Sequence, residues 1–163
     1  KLELEGLVVM LPRKGAYVAN ISVKDLMDVL EIRASLEGLG ASLAAERRND
    51  EDIKNLEELE VEFEEAVRTQ NIDMLLKKDI EFHECIFKAA NNKKLEKMIN
   101  TLWEQVQRFR ITYVSDSNAS LSLIDEHQSI LNAIKEGNIA DSKKFAIKHI
   151  EKAEQFMLEH CTK

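Results

Sequence analysis

The sequence predicts an all-α protein, an antiparallel six-helix bundle preceded by a short β-hairpin. Three observations carry this. Apolar residues recur at three- and four-residue spacing along most of the chain. One proline and five glycines in 163 residues leave long helices uninterrupted. The breaks between the periodic stretches are short and built from capping residues: Asn49-Asp50, Asn71, Asn91-Asn92 and Gly137-Asn138.

Residues 1–19 read differently from residues 20–163. Lys1 to Glu5 suits the last turn of a helix, with Gly6 as its stop. Gly6 to Met10 reads as a strand, Pro12-Arg13-Lys14-Gly15 as a turn, and Ala16 to Ala19 as the returning strand. A lone hairpin is marginal in water, so this stretch is expected to be the tail of another domain. Arg13 and Lys14 carry no neighbouring acid, which suits a phosphate contact, although an ordinary solvated turn looks the same.

Ser22 to Asp25 has the spacing of a capping box. The first helix is expected to run from there to about Arg48, with Leu26, Val29, Leu30, Leu36, Gly40 and Leu43 inward. Arg33 and Glu37 fall on the same face, and Gly38 and Gly40 permit a close helix approach. The second helix, about 51–68, has a stripe of Ile53, Leu56, Leu59, Phe63 and Val67 under a solvated acidic surface. The third, about 72–90, follows Asn71, with Ile72, Leu76, Ile80, Ile86, Phe87 and Ala90 on one face. The fourth, about 93–113, turns Leu95, Met98, Leu102, Val106, Phe109 and Tyr113 inward, with Arg110 beside them. Residues 115–120 read as a polar loop. The fifth helix, about 121–136, buries Leu123, Ile124, Ile130, Leu131 and Ile134; the sixth, about 139–160, buries Phe145, Ala146, Ala153, Phe156 and Met157.

Charge and composition exclude several functions. The net charge of −7 makes the chain a poor nucleic-acid binder by itself, since phosphates must be neutralised by Lys and Arg. No 18-residue apolar run is present to span a membrane, and no signal-peptide pattern opens the chain. Cys85 and Cys161 read as two reduced thiols of a cytoplasmic protein.

Four polar residues interrupt the apolar stripes. Asp79 and His83 lie one turn apart on the third helix, where about 400° of rotation points both side chains the same way. His127 and His149 sit mid-stripe on the fifth and sixth. A carboxylate and imidazoles turned into a core are costly unless they share a partner. Each histidine alone is ordinarily a hydrogen-bonded core group, and Asp79 could accept from His83. Together, one Asp and three imidazoles suit a divalent transition metal, zinc first, with nickel, cobalt, iron or manganese as alternatives; the set is too rich in nitrogen for magnesium or calcium. His160 lies about 16 Å further along its helix than His149 and is excluded, as is Cys85, which points off the ligand face.

The residues resemble a known family. Glu5-Gly6-Leu7-Val8, with Pro12 to Val18, resembles the end of the winged helix in GntR-type bacterial transcription regulators. Glu31-Ile32-Arg33, Leu36-Glu37, Asp79, Phe82-His83, Glu126-His127, Gly137-Asn138 and His149 resemble the FadR-type C-terminal effector domain of that superfamily, in its six-helix VanR-like branch. The resemblance covers nearly the whole chain. It implies a helical bundle around a metal-lined cavity that takes a small carboxylate effector and signals to a dimeric DNA-binding head. By position it carries the metal ligands onto Asp79, His83, His127 and His149, and effector binding onto Arg33. It carries DNA contact onto Arg13, Lys14 and Gly15. The helix-turn-helix of that family is absent from this sequence, so DNA binding is expected of a parent protein.

The expected mechanism is regulatory rather than enzymatic. A carboxylate would take a position on the ion, held by Arg33 and secondarily Arg110 through their fork geometry. Arg33 could equally form an internal ion pair with Glu37, four residues on. A homodimer is expected because such regulators read two half-sites. Two rivals stand. A metalloenzyme would need a general base, for which Glu37 is the inward carboxylate at hand; a purely structural metal would need no cavity.

Overall fold

The computed structural model describes residues 8–11, 15–18 and 22–161, with side chains described for residues 22–160. Two strands, β1 (Val8–Leu11) and β2 (Gly15–Val18), pair antiparallel with Val8 opposite Val18 and Leu11 opposite Gly15. The hairpin is therefore as expected but shifted by one residue at each end of its turn: Leu11 and Gly15 belong to the ladder. Arg13 and Lys14 lie outside the described residues.

Six helices follow: α1 (Val23–Arg47), α2 (Asp50–Arg68), α3 (Ile72–Ala89), α4 (Lys93–Ser115), α5 (Ser117–Glu136) and α6 (Ile139–Cys161). They form the antiparallel bundle that the periodicity predicts. The caps set the boundaries. Ser22 and Asp25 bond reciprocally at the start of α1, and Asn49 does the same with Asp52 at α2. Asn71 and Asn92 accept from the first free amides of α3 and α4. Between α3 and α4, Asn91 takes the left-handed conformation, φ 48°, that reverses the chain.

The polar loop expected at 115–120 is not a loop. Asp116 alone separates α4 from α5, and its carboxylate accepts from the Asn118 and Ala119 amides. The serines there are helical, because a good N-cap outweighs the modest helix propensity of Ser and Asn.

Helix α1 lies at the centre of the packing. It makes its broadest contact with α6 and also touches α3, α4 and α5. Two glycines allow this. A Cβ at Gly38 would come within 2.7 Å of Ile147 on α6, and one at Gly40 within 2.8 Å of the Phe87 ring on α3. The core has three apolar clusters, one around Leu26, Phe63 and Ile150, one around Leu56, Phe82 and Ile134, and one around Phe87, Ile99 and Trp103.

Several inward positions differ from the sequence reading. On α3 the buried face runs through Leu75, Asp79, Phe82, His83 and Ile86, while Ile72 reaches the surface. On α4, Met98 is 57% exposed, and Ile99 and Trp103 fill the core in its place. Part of each stripe is offset by one residue, a shift that mixed apolar spacing does not resolve, while Ile86, Phe87 and the cap residue Ala90 of α3 and Leu95, Val106 and Tyr113 on α4 are buried as expected.

Candidate metal centre

Asp79, His83, His127 and His149 arrive at one place from α3, α5 and α6, and all four are buried. The Nε2 atoms of His83 and His149 are 3.1 Å apart. Asp79 Oδ1 lies 3.4 Å from His127 Nε2 and 3.9 Å from His83 Nε2. One ligand atom from each of the three histidines fits within a span of 4.8 Å. Aromatic rings fix the imidazoles: Phe82 stacks on His127 at 4.2 Å, Phe63 meets it tilted at 4.7 Å, and Trp103 meets His83 edge-on at 6.4 Å. Each of these rings comes from a different apolar cluster, so the polar centre sits where the three meet.

The arrangement fits an ion. Two atoms each about 2.0–2.1 Å from one zinc at tetrahedral or right angles lie roughly 2.9–3.4 Å apart. The His83–His149 and His127–Asp79 separations fall in that range. Both ring nitrogens of His127 are fully buried without a hydrogen-bond partner among the described residues. A buried imidazole in that condition is costly, and an ion would satisfy it. Three buried histidines this close can hold a metal.

A second layer of charge surrounds them. Glu37 on α1 accepts from His83 Nδ1 at 3.0 Å, from Arg33 Nε at 3.0 Å and from Trp103 Nε1 at 3.1 Å. Glu126 on α5 is paired with His149 Nδ1 at 2.8 Å and Lys152 Nζ at 2.7 Å. Glu60 on α2 lies 3.4 Å from His127 Nδ1. Arg110 Nε donates to Asp79 Oδ2 at 2.5 Å.

The electrostatics follow from these pairs. Burial pushes the His83 pKa down to about 4, against the pull of Glu37. Burial likewise lowers His149, with Glu126 opposing. Burial also opposes charge on His127, but Asp79 and Glu60 outweigh it and raise its pKa to about 9. Glu126, despite its burial, is held down to about 2 by His149 and Lys152. Asp79 stays well below the usual carboxylate range because Arg110 and the histidines outweigh its desolvation.

Beside the centre is a small cavity of about 30 Å³, lined in part by Arg33, Asp79, His83, Arg110 and His149. That is room for about two waters. The Arg33–Glu37 ion pair expected from sequence is present. Both arginines are buried and already engaged, but Arg110 Nη2 has no hydrogen-bond partner among the described residues. His160 is exposed and Cys85 packs near Asp52 on α2, so neither joins the group.

Sequence reasoning missed Glu60 and Trp103. Both carried a signal: Glu60 falls four after Leu56 and three before Phe63, and Trp103 four after Ile99 and three before Val106. Glu60 was masked by the acidic residues around it. Glu126 entered the sequence reading only as part of the Glu126-His127 pair, without a role, since its partner His149 comes from another helix.

The FCD domain family model matches residues 28–152. The chain is 24% identical to the uncharacterized HTH-type transcriptional regulator YdhC of Bacillus subtilis (strain 168), over 91% of this chain and 66% of that protein. It is 26% identical to the HTH-type transcriptional regulator LutR of the same organism, over 96% of this chain and 80% of that one. Among solved structures it superposes on Escherichia coli McbR/YncC with a TM-score of 0.88 at 18% identity, covering 97% of this chain and 80% of that one. The chain thus spans about two thirds to four fifths of the length of these relatives. No described helix is long and apolar enough to cross a membrane.

Proposed function

Because the chain belongs to the FCD domain family, we propose that it senses a small carboxylate, beside a divalent metal, for a bacterial DNA-binding transcription regulator. The curated relatives are named as transcriptional regulators, and the chain is a regulatory domain rather than an enzyme. Asp79, His83, His127 and His149 would hold the ion, with zinc first and nickel, manganese, iron or cobalt as alternatives. The observation that carries this reading is the meeting of three buried imidazoles, one of them with no hydrogen-bond partner on either nitrogen among the described residues.

When bound, the ion supplies positive charge and an open position for a carboxylate oxygen. The chain's own residues do the rest. Arg33 and the free Nη2 of Arg110 face the cavity and would neutralise and orient the anion. A cavity of about 30 Å³ is too small for a carboxylate without movement of its walls. Those walls include Leu26 and Leu30 in the first turns of α1, and Phe109 on α4. Effector entry would therefore displace the helix that follows the hairpin, and shift the bundle by its differential affinity for the two states.

Residues 1–19 would be the end of a winged-helix domain, with Arg13, Lys14 and Gly15 toward DNA phosphates, and residues 20–163 the sensing domain. DNA would be reached through the rest of the parent protein, as a cytoplasmic homodimer on two half-sites. The small cavity also favours a second reading, in which the metal is purely structural. Thermal-shift measurements on metal-loaded protein with small carboxylates separate the two. A rise in melting temperature with at least one carboxylate supports sensing; indifference to all of them supports the structural ion.

A further inference from the structure

We propose that Glu37, Glu60 and Glu126 are positioning residues, each accepting the Nδ1–H of one imidazole so that all three rings turn Nε2 to the common centre. The inference rests on the metal reading above and extends it to α2, a helix that supplies no ligand. The geometry repeats three times. His83 Nδ1 faces Glu37 at 3.0 Å, His149 Nδ1 faces Glu126 at 2.8 Å, and His127 Nδ1 faces Glu60 at 3.4 Å. On the opposite edge of each ring, His83 and His149 bring Nε2 to within 3.1 Å of each other, and His127 Nε2 faces Asp79. A neutral imidazole has one protonated nitrogen, so an acceptor at Nδ1 leaves the Nε2 lone pair free to ligate. Such outer carboxylates fix ring orientation and raise ligand basicity.

Glu60 is the member that only this role explains. Glu37 also answers Arg33, and Glu126 also answers Lys152. Glu60 is 4% exposed, and neither of its oxygens has a hydrogen-bond partner or a Lys or Arg ion pair among the described residues. A buried carboxylate in that state is unfavourable for the fold alone. What it faces is the Nδ1 edge of a ring packed against both Phe63 and Phe82. A proton held on that nitrogen points at the Glu60 carboxylate, and the held proton dictates which nitrogen meets the ion.

The test uses the chain stripped of metal and titrated with Zn²⁺ against a chromophoric chelator, for wild type, Glu60→Gln and Glu60→Leu. Nitrogen NMR of the Zn²⁺-bound wild type reads the tautomer of each ring directly, so the test does not depend on a variant folding. The expected result is Nδ1 protonated and Nε2 bound on His83, His127 and His149. Zn²⁺ affinity falls by about 10–100-fold in Glu60→Leu and by much less in Glu60→Gln, which keeps an acceptor. Nδ1 ligation by His127, or wild-type affinity in a folded Glu60→Leu, overturns the inference while leaving the metal reading intact. A wild-type chain that takes up no Zn²⁺ overturns both.

Discussion

His83 and His149 stand 66 positions apart in sequence and bring their Nε2 atoms to 3.1 Å. Their Nδ1 atoms face away, toward Glu37 on α1 and Glu126 on α5. The contact ties α3 to α6 through two polar rings in a site where aliphatic packing would be the ordinary solution. An ion between the rings would make that arrangement favourable.

Replacing one ring should therefore remove the ion. His149→Ala is expected to lower metal affinity by more than the roughly 10–100-fold that loss of an outer partner costs. His127→Ala should lower both metal content and stability. Metal analysis of untagged protein, with thermal melting, checks both; full stoichiometry in either variant would remove that residue from the ligand set.

Substitutions at Arg110 and Arg33 test the ion pairs of the fold and the proposed effector site in turn. Arg110→Met removes the nearest cation from the buried Asp79 carboxylate, leaving it only the His127 and His83 edges, and should destabilise the metal-free chain by about 3–5 kcal/mol in denaturant titrations. Arg33→Met leaves Glu37 with His83 and Trp103 as partners. It should keep the metal yet lose most of the melting-temperature rise that a small carboxylate produces. An undiminished rise would remove Arg33 from the effector site.

The pH dependence follows from His127. Its pKa in the metal-free fold is raised to about 9, because Asp79 and Glu60 overcome its burial. The unfolded value is about 6.5. A raised folded value gives stability that is full below about pH 6.5 and is lost as pH rises through about 9. Metal needs the same nitrogen without its proton, so uptake near neutral pH should release a proton and tighten as pH rises over that window. Calorimetry in buffers of different ionisation enthalpy measures the proton count; pH-independent binding would contradict it.

The glycine contacts of α1 give a prediction about packing alone. A Cβ at Gly40 would meet the Phe87 ring at 2.8 Å. Gly40→Val should cost about 1–3 kcal/mol through overpacking, with metal stoichiometry preserved once folded. Urea unfolding checks this, and an unchanged midpoint would show that Phe87 yields freely.

Much of the candidate site was legible because its residues break a pattern. Asp79, His83, His127 and His149 stand where helical spacing calls for apolar side chains, and the capping residues marked most helix ends. Periodicity could not choose between Met98 and Ile99, since both fit a stripe within one residue. Residues 115–120 looked like a loop because their composition is polar, and the Asp116 cap that makes them helical is a local bond. Glu60 broke the pattern too, but in a helix so acidic that one more glutamate carried no contrast. Glu126 became meaningful only when α6 brought His149 against it.

If the three buried imidazoles form a metal centre, the folded chain keeps an ion through dialysis. Metal content per chain, measured on protein purified without a histidine tag and dialysed against metal-free buffer, decides this. One divalent transition-metal ion per chain is expected, absent from His149→Ala. A well-folded wild-type chain that retains no ion, and gains none when zinc, nickel, manganese, iron and cobalt are offered, would contradict it.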